Sequence, residues 1–364
     1  GFSLLRRSSF GYEGRAAVAP PLDFGVTRRS VPSFAKATEG YPTRIHPRVN
    51  TRGFLRSRVK SPGIETRWFL IPVQFRIRML RRLLAAILPD RVKTVLLNLV
   101  ELFKEQTFRP YVIKKSVEGV TFNFLVSDLT AKRWYDNEAE WPEMKFLKER
   151  LVRPRDIIFE CGGHHGCTAM FLAICVGEGG KVVTFEPSRK NASVIEANVR
   201  LNGLNNVAVE QKAVGFRAGT AVVIDASNTV VAQSHRAGSA RPGDCEGGLP
   251  RRRMEVEMVS LDGYARGHNL YPTLLKIDVE GYEVEVLKGA GDLLGRTPKL
   301  TIEIHSPADL ARYGTSVADL LGLLDLERYH CWIQWDHFEM PVVFDGSQPI
   351  TKRVHLYAIP RAGA

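Results

Sequence analysis

The second half of the chain repeats one pattern: a short apolar run, an acid or glycine at its end, then a stretch with helical spacing. Ile157-Ile158-Phe159 leads to Glu160, and Lys181–Phe185 leads to Glu186. Val207–Glu210, Thr273–Gly281 and Leu300–His305 follow the same form. Short continuous apolar runs are what strands buried on both faces show. Between them, Thr168–Val176, Asn191–Leu201 and Glu283–Ala290 read as helices, the second closed by Asn202-Gly203. Strand and helix in alternation predict an α/β fold with a mostly parallel sheet and helices on both faces. Val256–Leu261 is a further strand, and Tyr329–Trp335 with Arg353–Ile359 suit a final antiparallel pair. Upstream, Val112–Val126 alternates around Glu118-Gly119, which predicts a hairpin, and Glu143–Leu151 reads as a helix.

The stretch Asp156–Met170 organises the rest. Its strand ends on Glu160, the glycines Gly162, Gly163 and Gly166 make a turn, and a helix begins. Glycines let backbone approach a ligand, and a helix start offers free N–H groups. The spacing Gly162-x-x-x-Gly166 differs from the G-x-G-x-x-G that wraps a pyrophosphate. Glu186 lies 20 residues beyond Gly166, where a doubly wound fold places the acid that receives a ribose hydroxyl. The plainer reading of Glu160 and Glu186 is two solvated acids at strand tips.

Charge divides the chain. Residues 1–110 hold 21 lysines and arginines against 7 acids, whereas the whole chain of 364 residues carries +12. The basic character therefore belongs to the N-terminal third. Residues 1–69, rich in Arg, Ser, Pro and Gly, are expected to be a disordered basic tail. Three readings of it stay open: upstream sequence translated from the wrong start, an organelle transit segment, or a basic arm for nucleic acid or membrane. Residues 70–150 form a helical and hairpin extension, and 151–364 the ligand-binding domain. Phe75–Gln106 alternates apolar and basic residues with a break at Pro89. Residues 73–106 could thus make a weak membrane-surface contact, although packing on the chain's own domain is the commoner use. Residues 225–250 read as a long mobile insertion near the mouth of the site. The five cysteines form no C-x-x-C pair, which points to reduced thiols in a cytoplasmic protein. No apolar run reaches membrane-spanning length.

Five motifs together carry a family resemblance: Glu160–Gly166, Phe185-Glu186-Pro187, Leu275–Glu283, Val286–Ala290 and Ile302–His305. The chain resembles, over roughly residues 110–360, the FkbM family of S-adenosylmethionine-dependent methyltransferases. It departs from the common pattern in carrying Glu160 in place of Asp, and His164-His165 in place of Asn and an apolar residue. The resemblance implies a class I methyltransferase: a Rossmann-like, mostly parallel seven-stranded sheet. It also implies S-adenosyl-L-methionine as cofactor and O-methylation of a hydroxyl on a sugar, glycan or natural product.

That cofactor has an adenosine, a sulfonium and an amino acid but no phosphate, which suits the glycine turn. Gly162 and Gly166 would approach it, Glu186 would receive the ribose, Glu160 would face its ammonium, and Ala213 and Val214 would flank the adenine beside Lys212. Methyl transfer to an alcohol needs alignment and a general base. Asp278 is expected near the sulfonium, with His305 or Glu280 taking the hydroxyl proton. Against this, Glu280 could cap the next helix, and Lys276 or Glu303 could form a buried ion pair. Asp278, Glu280 and His305 could also coordinate a divalent cation, but no metal is assigned. His164 and His165 are adjacent, so one of them is expected to be structural. Trp134, Tyr135 and Trp141 could lid the site, with ordinary packing as the plainer use.

Two other functions compete. An RNA methyltransferase is favoured only by the basic N-terminal third. No Asp-Pro-Pro-Tyr or Asn-Pro-Pro-Tyr stretch follows the Thr273–Gly281 strand, which counts against amino methylation of bases, and a nucleic acid partner is not the expectation. A cofactor-binding or membrane-attached scaffold without turnover is the non-enzymatic reading.

Overall fold

The computed structural model describes residues 103–137, 141–225, 230–232 and 252–363, with residue 92. All lie in one unit, residues 71–364. The expected tail, nearly all of Phe75–Gln106 and most of the 225–250 insertion fall outside the described residues.

Strands β1 (Tyr111–Val117) and β2 (Val120–Val126) form the expected hairpin. Both turn residues have positive φ, Glu118 at 48° and Gly119 at 74°, the geometry a two-residue hairpin needs. Helix α1 (Leu129–Tyr135) follows, capped by Asp128, and then α2 (Pro142–Phe146), which runs on as a π turn over Leu147–Leu151. The core then alternates through β3 (Ile157–Cys161), α3 (Cys167–Val176), β4 (Lys181–Phe185), α4 (Arg189–Leu201) and β5 (Val207–Glu210). Next come β6 (Ala213–Val214), β7 (Gly219–Asp225), β8 (Val230–Ala232), β9 (Arg252–Val259) and α5 (Leu261–His268). The chain continues with β10 (Leu274–Ile277), α6 (Glu283–Lys288), α7 (Gly291–Gly295) and β11 (Lys299–Ile304). It ends with α8 (Pro307–Ala311), α9 (Val317–Gly322), β12 (Tyr329–Gln334), β13 (Val342–Val343) and β14 (Val354–Pro360).

The central sheet has the order β13-β12-β14-β11-β10-β3-β4-β5. Strands β11, β10, β3, β4 and β5 are parallel, and β14 runs antiparallel between β11 and β12. Seven of the eight strands are those the apolar runs predict; the two-residue β13 adds an eighth at the edge. The chain leaves β3 toward β4 on one side and returns through β10 on the other, so a crevice opens at their C-terminal ends. Strand β9 does not join this sheet. It begins at Arg252 and builds a second sheet, β6-β9-β7-β8.

Side-chain alternation sorts the two faces. Phe159, Leu275, Ile302 and Leu356 pack with α5 and α6 residues on one face. Ile158, Val182, Leu274 and Tyr357 meet the hairpin and α3 on the other. Helix α3 is apolar nearly all round because the sheet covers one side and the hairpin, through fully buried Phe124, the other. Helix α4 ties down the exposed edge of β2. Asn198 accepts from Leu125 N at 2.7 Å, and Asn202 exchanges two 2.8 Å bonds with Asn123. The edge strand is thus satisfied by side chains in place of another strand. This arrangement carries α1 to the rim of the crevice.

Candidate active site

The glycine turn after β3 is shaped by packing as much as by any ligand. Gly162 has φ +91°, and a Cβ there would collide with the carbonyl oxygen of Asp278 at the end of β10. Gly166 has φ +86°, caps α3 and packs on Ile195, off the cavity wall. One glycine therefore lines the cavity and the other sets the helix behind it.

One cavity occupies the crevice. Its first half is walled by Gly162, His164, Phe185, Glu186, Ala213 and Val214. Glu186 is buried; its Oε2 accepts from His164 N at 2.8 Å and its Oε1 from Ser188 N at 2.9 Å. Burial pushes its carboxyl up to about 7 against those bonds. Lys212 also lines this half, and its ammonium is held by Glu210 at 3.0 Å and Glu257 at 3.7 Å. An apolar wall beside a carboxylate with unused lone pairs fits a nucleoside, which offers a flat base and a diol.

The second half is walled by Asp278, Glu280, Tyr282, Glu303, His337 and Arg353, with Trp134 and Tyr135 at the rim. Here the charges are linked. Burial would raise Asp278, but the Lys276 ammonium 3.4 Å away, helped by His305 and His355, holds it at about 2. Arg353 bridges Glu303 at 3.4 Å and Glu280 at 3.8 Å. His355 lies 3.5 Å from Glu303 and 3.6 Å from Glu143. Glu280 has φ 55°, a left-handed backbone uncommon outside glycine, and strain of this kind clusters at working sites.

Three expected residues stand elsewhere than their roles suggest. Glu160, expected at the cofactor's ammonium, is fully buried, off the wall, and in register between Thr184 and Lys276. Neither of its carboxylate oxygens has a hydrogen-bond partner, and burial raises its pKa against the pull of Lys276. His305, one of the two expected bases, is fully buried behind Glu280 and does not line the cavity. Burial would lower it, but the carboxylates of Glu280 and Glu283 on either side raise it to about 11, so its imidazole is held protonated at neutral pH. Gly166 is the third.

Of the paired histidines, His164 lines the cavity, with Nδ1 2.6 Å from the Tyr135 hydroxyl. His165 is buried, with Nε2 3.3 Å from Asp128. Trp141 packs beside Tyr135 and Lys115, outside the cavity. The sequence reading gave neither Arg353 nor His337 a place in the site. Pairing β14 with β11 would have pointed to the first, because that register sets His355 opposite Glu303, two residues beyond Arg353.

The strand order, with a cavity at the switch point, is that of the class I methyltransferase fold, and the domain its sequence matches brings S-adenosylmethionine as cofactor. Residues 160–331 match the methyltransferase FkbM domain, so the chain is a methyltransferase carrying that domain. No curated protein matches the sequence. Among solved structures, it is similar to an S-adenosylmethionine-dependent O-methyltransferase of Thermotoga maritima, with 13% identity and a TM-score of 0.35 over 68% of this chain and 77% of that one. Fibrillarin of Aeropyrum pernix, solved with natively bound S-adenosyl-L-methionine, gives 14% and 0.35 over 60% and 72%. An rRNA methylase of Streptococcus thermophilus gives 12% and 0.34 over 60% and 93%. The assignment rests on the strand order and the domain match.

Proposed function

We propose that the enzyme transfers a methyl group to a hydroxyl of a sugar, glycan or related natural product. One observation carries this reading: the half of the cavity away from the nucleoside wall presents Asp278, Glu280 and Glu303 under a rim of Trp134 and Tyr135. Carboxylates receive hydroxyl protons, and aromatic rings cover the apolar faces of sugars. The two cations on the wall, Lys212 and Arg353, are each paired with two acids, which leaves little attraction for a phosphate backbone.

When bound, S-adenosylmethionine supplies an activated methyl group on sulfur. Glu186, Ala213 and Val214 would hold its nucleoside, and Gly162 and Asp278 its methionine end. Asp278, kept ionised by Lys276, sets negative charge where a sulfonium is held. Glu280 is the better placed of the two expected bases because it lines the cavity, whereas His305 stands behind it and orients it. Labelled-methyl transfer by the full chain to a fractionated extract of its host tests the acceptor class. Label in periodate-sensitive, protease-resistant material is expected; label confined to RNA or protein sinks the reading.

Glu186 gives a sharper test. Losing one hydrogen bond to a charged group is worth about 1.5–3 kcal/mol, so Glu186→Ala should bind S-adenosylhomocysteine roughly 10–100-fold more weakly by calorimetry. Its pKa of about 7 adds a sign. A raised carboxyl is neutral below its folded pKa, so wild-type affinity should fall as pH drops from 8 to 6, and Glu186→Gln should lose that dependence.

A further inference from the structure

We propose that Asp278, Glu280 and His305 bind one divalent first-row cation at the acceptor end of the cavity. One donor atom from each lies within 4.8 Å of the others. Such a trio is common without an ion, and the orientation of His305 is what sets this one apart. Its Nδ1 lies 2.8 Å from Glu283 Oε1, a fully buried carboxylate oxygen that also accepts from Gly281 N at 2.9 Å. That contact assigns the Nδ1 proton and turns Nε2 toward the two acids. A carboxylate behind the imidazole is the standard outer support of a metal-ligating histidine. Nε2 is fully buried and makes no hydrogen bond; Glu280 Oε2 lies 3.3 Å away but out of line for one. An imidazole nitrogen whose proton points between two carboxylates at a cavity wall marks a position that a cation can take in the proton's place.

The backbone supports this aim. Glu280 and Gly281 take left-handed conformations at 55° and 97°, and a Cβ added at Gly281 would crowd the Asp309 backbone at 3.0 Å. The turn is thereby fixed with Glu280 facing Asp278 and His305. Three cations already pair with these acids and offset part of the negative charge: Lys276, buried beside Asp278; Arg353, at the cavity wall on Glu280; and His355, beside Glu303. The carboxylates of Asp278, Glu280, Glu283 and Glu303 still outnumber them. One nitrogen with two carboxylates, completed by water or an acceptor hydroxyl, suits Mn²⁺ better than the all-oxygen preference of Mg²⁺. On binding, the cation takes the position of the Nε2 proton, which leaves to solvent.

The cation's part in catalysis rests on the hydroxyl-methylation reading; its binding does not. A hydroxyl coordinated to it loses its proton more readily, and the carboxylates around it receive that proton.

The test uses the full chain freed of metal with EDTA and titrated with MnCl₂, reading free Mn²⁺ by electron paramagnetic resonance. One Mn²⁺ per chain is expected, with affinity roughly 10–100-fold weaker in Glu283→Gln, which touches no metal. His305→Gln should abolish stoichiometric binding. Because a change at a buried histidine can unfold the chain, Glu280→Gln, at the cavity wall, is measured beside it and should lose at least tenfold. S-adenosylhomocysteine binding is followed in every sample. Retained nucleoside binding with no stoichiometric Mn²⁺ in wild type overturns the metal site alone. Unchanged Mn²⁺ affinity in Glu280→Gln and Glu283→Gln overturns it equally. Absent nucleoside binding in wild type removes the methyltransferase reading instead.

Discussion

Gly162→Ala is expected to lower the melting temperature by about 6–12 °C and to abolish binding of S-adenosylhomocysteine. Two costs combine. A left-handed backbone at φ +91° costs an L-residue about 1–2 kcal/mol. The added methyl would also meet the carbonyl oxygen of Asp278 far inside contact distance, and that obstacle is backbone at the end of a buried strand. Relief requires β3 and β10 to part where the cavity begins, and forced displacement in a packed core costs about 1–3 kcal/mol more. Gly203→Ala supplies the control. Gly203 has φ +61° with nothing within 4 Å of its added Cβ, so only the conformational cost applies there. The control should lose roughly 2–4 °C and keep full nucleoside affinity. Equal melting shifts for the two substitutions would show that contact between strand ends is not what the glycine serves.

The same pair explains why parts of the fold were legible and others were not. Strands β3, β4, β10 and β11 are buried on both faces, so each left a continuous apolar run that needs no partner to recognise. The hairpin announced itself through Glu118-Gly119, a purely local signal. Strand β6 is two residues long, and its partner β9 lies some forty residues on, across the insertion. Pairing of that kind depends on the closed fold and leaves no periodicity, which is why the second sheet around β9 was not foreseen. The site divides likewise. Glu186, Asp278 and Glu280 sit at strand ends that the motif reading identified, and all three reach the cavity. Glu160 looked equivalent to Glu186 because both end a strand. Two register positions earlier, however, Glu160 stands beside Thr184 and Lys276, inside the sheet. His305 lies just past β11, where strand alternation no longer governs direction, so only the fold sets it between Glu280 and Glu283.

Lys276→Met is the substitution that should cost most in stability for its size, about 3–5 kcal/mol at pH 7.5. The ammonium is the fixed cation nearest two acids: Asp278 at 3.4 Å, and Glu160, which faces it across the β10–β3 register. Lys276 is 5% exposed and Glu160 not at all, so solvent cannot replace the lost charge. With the cation gone, burial drives Glu160 toward the neutral form without its main opposing charge, and Asp278 keeps only the weaker pull of His305 and His355. The pH dependence then has a definite sign. In wild type, Asp278 is held at about 2, below its ordinary 3.8. Its contribution to stability is therefore complete above about pH 4 and lost as pH falls toward 2. In the variant that contribution is gone, and ionised Glu160 and Asp278 are a burden at neutral pH that protonation relieves. Urea unfolding should thus show the largest gap between the two proteins at pH 7.5 and a smaller one at pH 4.5. Methyl transfer should fall with stability, because a neutral Asp278 no longer offers charge to a sulfonium. A gap that stays constant between the two pH values would mean that Lys276 acts by packing its hydrocarbon stem, and that the two acids are neutral in wild type already.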